Sequence, residues 1–152
     1  MWTGHARLAL DDSLTRSIEC CPAEFGAEPA FTSARVVRVE PALADGPIVN
    51  AAELDGSVAL VKRGGNLFQD KAKLVQAAGA IGMVIINNSD ALFAPLGSEG
   101  HQGVQIPVVA IAQESAQMIA IGANRGWTVY KVCYHSRAQT EVPGATPRTL
   151  RR

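Results

Sequence analysis

The chain has 152 residues, 47% of them hydrophobic and 18% charged, a length and balance that suit one globular domain around a single core. Its fourteen basic and fourteen acidic side chains cancel, so no net field draws it to nucleic acid or to an anionic membrane. No apolar run approaches the roughly 18–20 residues of a membrane span, and Met1-Trp2-Thr3-Gly4-His5 lacks the basic and apolar regions of a signal peptide.

Residues 1–34 read as mixed, with turn punctuation at Cys21-Pro22, Gly26 and Glu28-Pro29. Ala34 to Glu40 alternates as a strand with one wet face, and Pro41 ends it. Three short apolar runs follow: Val58 to Val61, Met83 to Ile86 and Val108 to Ile111. Continuous runs of this length, bounded by polar residues, Gly or Pro, suit strands buried on both faces of a parallel sheet. Between the first two, Leu67, Lys71, Leu74 and Ala78 form one helical stripe, with Phe68, Ala72, Val75 and Gly79 beside it. Asn66 is placed to cap this helix and Gly79 to stop it. The result is a βαβ unit. A second helix is expected near 113–124, and a last strand over Trp127 to Tyr134. Asn87 to Gln105 has no periodicity and is long for a loop, a length that usually signals function. The tail 136–152, with two prolines and four arginines, reads as a flexible end or linker, leaving 1–135 as one domain.

Chemistry-bearing residues are sparse. Three cysteines, Cys20, Cys21 and Cys133, are too few for a disulfide framework and are expected to be thiols, or at most one bridge. His5, His101 and His135 are far apart, so no metal spacing emerges, and no cofactor is expected. Cys20 or Cys21 with His101 lacks any nucleophile motif. Arg63-Gly64-Gly65-Asn66, between a strand and a helix, could cradle a phosphate, but it is neither GxGxxG nor a P-loop. Asn87-Asn88-Ser89 matches a glycosylation sequon whose position at a strand end makes coincidence the better reading.

Taken in order, these segments resemble a family. Gly56 to Phe68, with its strand, Arg63-Gly64 turn and Phe68, then Gln76-Ala77-Ala78-Gly79-Ala80, Val84 to Asn88 and Ile106 to Ile111, resemble the protease-associated (PA) domain. The match is close from 56 to 126 and weaker over 20–55. Asn66 and Asp45 stand where many relatives carry a cysteine pair. Ala112 and Ala116 stand where a serine and a glycine are common. The resemblance implies an α/β (α+β) fold of three layers, β/β/α: a central partly parallel sheet, a smaller second sheet and two main helices. It also implies a non-catalytic module that binds protein or peptide, accessory to proteases or sorting receptors, in a secretory, endomembrane-lumenal or extracellular setting. The resemblance further implies a site, because sorting-receptor members of that family hold peptide at the Arg-Gly turn and nearby loops. That makes Arg63, Gly64, Gly65 and Asn66 candidate peptide-binding residues, with Asn88, Leu92 and Phe93 of the neighbouring loop. Arg63 can clamp a peptide carboxylate or tie the turn to loop carbonyls, and the two roles are compatible. Leu92 and Phe93 equally suit anchors that pin the loop. Two rival readings are a purely structural interaction module and a small-molecule or nucleotide binder.

Overall fold

The structure, a computed structural model, describes residues 5–10, 13–28, 31, 33–121 and 126–132. Its elements in chain order are β1 (His5–Leu10), β2 (Ser13–Pro22), β3 (Val36–Arg38), α1 (Ala51–Leu54), β4 (Val58–Lys62), α2 (Phe68–Ala77), β5 (Gly82–Ile86), β6 (Val108–Ile111), α3 (Ala116–Ile121) and β7 (Trp127–Val132). The strands follow the order β3-β4-β5-β6-β2-β1-β7. β3 to β6 pair in parallel, β6 joins the end of β2 antiparallel at Cys21 and Pro22, and β1, β2 and β7 are antiparallel throughout. The ten-residue β2 thus belongs to both halves.

Alternation along the parallel strands builds the layers. Val58 and Leu60, Val84 and Ile86, and Val109 and Ile111 face one core, shared with Leu8, Ile18, Phe31, Ile119 and Trp127. Ala59 and Val61, Met83 and Ile85, and Val108 and Ala110 face a second core, shared with Ala72 and Val75 of α2 and with Leu54. Period-two side chains on strands covered on both faces read in sequence as continuous apolar runs. The fold is mixed α+β, with α2 on one side of the parallel strands and the antiparallel half on the other.

Three sequence expectations change. Strands β1 and β2 occupy a stretch read as mixed. The helix stripe is rotated: Gln69, Lys71, Ala72 and Val75 are its buried residues. Leu67 is 52% exposed and Phe68 only half-buried, because the helix starts one residue after an extended Leu67 (φ −68°, ψ 150°). Asn66 is not the cap, since its Nδ2 donates instead to the Ala44 carbonyl at 3.1 Å. Gly79 does end the helix, in the left-handed region at φ +96°, where a Cβ would lie 2.4 Å from Asp55 Oδ1. The second helix comprises a 3-10 turn, Gln113–Ser115, and α3. The tail 136–152, Cys133 and His135 lie outside the described residues.

Candidate functional site

The parallel strands deliver Arg38, Lys62 and Ile86 to one end of the sheet, since β3, β4 and β5 run the same way in register. Immediately beyond β4 comes the Arg63-Gly64-Gly65 turn. Both glycines have positive φ, +119° and +86°, and a Cβ on Gly65 would sit 2.8 Å from Asp45 Oδ2. Only glycine lets the turn close against the 41–45 loop.

Lys71 fastens that closure. Its side chain is fully buried, and Nζ donates to the carbonyls of Leu43 and Gly64. Burial lowers its pKa below the ordinary 10.5, and the nearby Asp45 carboxylate opposes the shift. Asn66 adds a further tie to Ala44, while its own Oδ1 is buried without a partner. Where many relatives of the family resembled have a cysteine pair, polar groups hold the same two segments together here.

Arg63 is anchored on the other side. Nη1 donates to Asn87 Oδ1 at 3.0 Å, and the guanidinium carbon stands 4.5 Å from the Phe93 ring centroid and 5.5 Å from that of Phe68. The two rings are themselves 5.4 Å apart. Asn87 is buried; its Oδ1 also accepts from the Asn88 backbone, and its Nδ2 donates to Ser89 Oγ and the Ala91 carbonyl. The sequon nitrogen is therefore engaged in holding the loop.

The 87–105 loop is a strap along α2. Gln69 donates to the Glu99 carbonyl at 2.7 Å and accepts from Ser98 N at 2.6 Å. Seven residues on, Gln76 donates to the Gly103 carbonyl at 3.0 Å and accepts from Gln105 N at 2.7 Å. Each carboxamide satisfies one backbone donor and one acceptor, as a neighbouring strand would. Pro95, Val104 and Ile106 are buried beneath. The loop is thus tied to α2 at two points, seven residues apart on the helix.

Between turn, strap and α3 lies a cleft of about 290 Å³, lined by Arg38, Leu43, Lys62, Arg63, Ile86, Asn87, Asn88, Gln113 and Ala116. It holds three cations, several carboxamides and an apolar floor, with no carboxylate among its walls. Of the sequence candidates, Arg63 and Asn88 line it. Gly64, Gly65 and Asn66 do not; they shape the turn that frames it. Leu92 and Phe93 are absent from the lining as well, and Phe93 works as an anchor under Arg63. Arg38, Lys62 and Gln113 escaped sequence analysis. The available signal was a cation closing each of two adjacent parallel strands.

Elsewhere, Cys20 and Cys21 carry free thiols, and burial raises the pKa of both. They are held protonated, the unreactive form. Among the described residues no group of three His, Cys, Asp or Glu side chains could share a metal ion. None of the helices described is long and apolar enough to cross a membrane.

Comparison with known proteins agrees with this architecture. The chain is 32% identical over 99 residues to the minor extracellular protease Vpr of Bacillus subtilis strain 168, covering 65% of this chain and 12% of Vpr. It is 35% identical over 68 residues to aminopeptidase YwaD of the same organism, covering 45% of this chain and 15% of YwaD. The solved structure of the zinc aminopeptidase BSAP from Bacillus subtilis superposes with a TM-score of 0.59 at 22% identity, over 86% of this chain and 31% of that one. The chain thus spans less than a sixth of these two relatives and under a third of the solved enzyme. The PA domain family model matches residues 19–119, and the chain belongs to the PA domain family.

Proposed function

We propose that this chain is a non-catalytic module that binds polypeptide in the cleft over the ends of β3, β4 and β5, accessory to a larger protein. The observation that carries the reading is the cleft itself: about 290 Å³, with Arg63 and Asn88 in its wall and Leu43 and Ile86 offering apolar contact. That volume sits at the small end of ligand sites and suits one or two side chains of a peptide. Arg63 is exposed and uses Nη1 internally, while among the described residues its Nε and Nη2 make no hydrogen bond and are available to a carbonyl or carboxylate. A nucleotide fits less well, because Asp45 Oδ2 stands against the glycine turn and would repel phosphate. In this reading the chain performs no chemistry of its own, and any turnover belongs to other domains. An extracellular or lumenal setting accords with the extracellular protease among its relatives.

The test is a titration of the isotope-labelled chain with a mixed-composition library of extended hexapeptides. Amide shifts should concentrate at Leu43, Ile86, Asn88 and Gln113. Shifts confined to other faces, or none at millimolar peptide, would sink the reading. The rival, a purely structural interface module, draws on one specific observation: Arg63 is already engaged by Asn87 and two aromatic rings. It predicts no peptide-induced shifts at the cleft.

A further inference from the structure

We infer that the cleft selects an acidic peptide segment, one that crosses the sheet end in extended form with carboxylate side chains over Arg38 and Lys62. This rests on the polypeptide-binding reading and narrows it. The cleft is continuous with a second depression of about 220 Å³, and the two share Arg38, Lys62 and Ile86. These three residues form a saddle between two hollows. A chain passing over a saddle places side chains in both, whereas a terminus or a small anion would need only one.

Charge fixes the chemistry of what lies on the saddle. Arg38 and Lys62 are both exposed, and among the described residues neither side chain makes a hydrogen bond or ion pair. The Arg38 carbonyl accepts from Asn50 Nδ2, which holds the backbone that carries the guanidinium. Arg63 adds a third cation on the cleft side. The one carboxylate in the combined lining is Glu40, at the margin of the second hollow. Unpaired cations on an apolar floor attract carboxylates and gain from pairing with them, because the floor lowers the local dielectric. Glu40 gives the site polarity, disfavouring acid at the peptide position that reaches it. Net charge is zero overall, so the preference belongs to this end of the sheet and not to the whole surface.

The experiment uses the full 152-residue chain and two fluorescent, acetylated and amidated hexapeptides, one with two central glutamates and the other with two glutamines. Blocked ends remove any contribution from a terminal carboxylate. By fluorescence anisotropy at low salt the glutamate peptide should bind about tenfold tighter or more, and the gap should shrink as salt rises. Arg38→Gln combined with Lys62→Gln should abolish the gap, while Arg38→Lys with Lys62→Arg should keep most of it. Thermal melts of all variants should match, since neither side chain has a hydrogen bond or ion pair to lose among the described residues. Equal binding of the two peptides, or a gap that survives in the glutamine variant, would overturn acidic selection while leaving polypeptide binding standing. Failure of both peptides and of the mixed library would remove both readings together. Displacement of the glutamate peptide by inorganic phosphate at similar concentration would reveal a general anion site and also overturn the proposal.

Discussion

Two groups of residues meet at the same end of the sheet and are used in opposite ways. On the turn side, Arg63, Gly65, Asn66 and Lys71 are all engaged within the protein, through Asn87 and the aromatic pair, against Asp45, and on the carbonyls of Ala44, Leu43 and Gly64. On the saddle side, the Arg38 and Lys62 side chains make no hydrogen bond or ion pair among the described residues, although their backbones are held by Asn50 Nδ2 and the Ala42 carbonyl. The glycine turn and its fastenings therefore build the shape of the cleft, and Arg38 and Lys62, at the ends of the two adjacent parallel strands, supply its free charge. A motif carried by many proteins with different partners is expected to encode what they share, the scaffold, while specificity falls to positions that can vary without disturbing it.

The sharpest way to break this division is at Lys71. Lys71→Met keeps the length of the side chain but leaves the Leu43 and Gly64 carbonyls without their donor, at about 1–3 kcal/mol each. Urea unfolding should show that loss in full. A denaturation midpoint equal to that of the parent would mean the buried ammonium is dispensable and the turn holds itself. Gly65→Ala comes next, expected to cost about 1–3 kcal/mol, since it combines a left-handed backbone with a Cβ pressed on Asp45. Asp45→Ala in the same chain should recover the steric part of that cost and not the backbone part, and an unaltered Gly65→Ala deficit in the double variant would remove Asp45 from the account.

What the sequence disclosed follows the same line. The runs at 58, 83 and 108 announce themselves because both faces of a parallel strand are buried, so no polar residue interrupts them. β1 and β2 did not, although Ala6, Leu8, Ile18 and Cys20 are buried at period two. Arg7, Ser17 and Glu19 between them dilute the pattern, and the cysteines draw attention as chemistry. Asn66 was placed as a helix cap on local grounds, but the Ala44 carbonyl, 22 residues away, competes for the same side chain and wins. At the site, the Arg63 turn was legible as a motif. Its internal engagement was not, because Phe93 and Asn87 reach it only through the folded strap. Arg38 and Lys62 resembled ordinary polar strand ends, and only the parallel register sets them over one hollow.

Arg63→Ala is a milder perturbation than Lys71→Met. It removes one hydrogen bond to Asn87 and a cation over two rings, about 1–2 kcal/mol together at a solvent-exposed position. Peptide affinity should fall too. Arg63→Lys should not restore either property fully, because an ammonium cannot bond Asn87 while lying flat on Phe93. Hydrogen exchange at Asn88 and Ala91 would report the loosened strap. Unchanged exchange there would put the anchor elsewhere and return Arg63 to the ligand alone.

The smallest effect expected is a dependence on pH, and it tests the turn side without removing any atom. Burial lowers the pKa of Lys71 in the native chain relative to 10.5, so between the two values the unfolded chain binds more protons than the native one. Stability contributed through this group therefore rises with pH across that window and is flat below it, where both states are protonated. The staple itself survives the titration, since a neutral amine still has two N–H groups for the two carbonyls. Other lysines and the tyrosines titrate over the same range, so the useful quantity is the difference in unfolding free energy between the parent and Lys71→Met. That difference should widen as pH climbs from neutrality toward 10.5. Asp45→Asn should make it widen from a lower pH, because the Asp45 carboxylate is what partly sustains the ammonium. A difference that stays constant with pH would show that Lys71 keeps its ordinary affinity for protons, and hence that water reaches the turn that the fold closes around it.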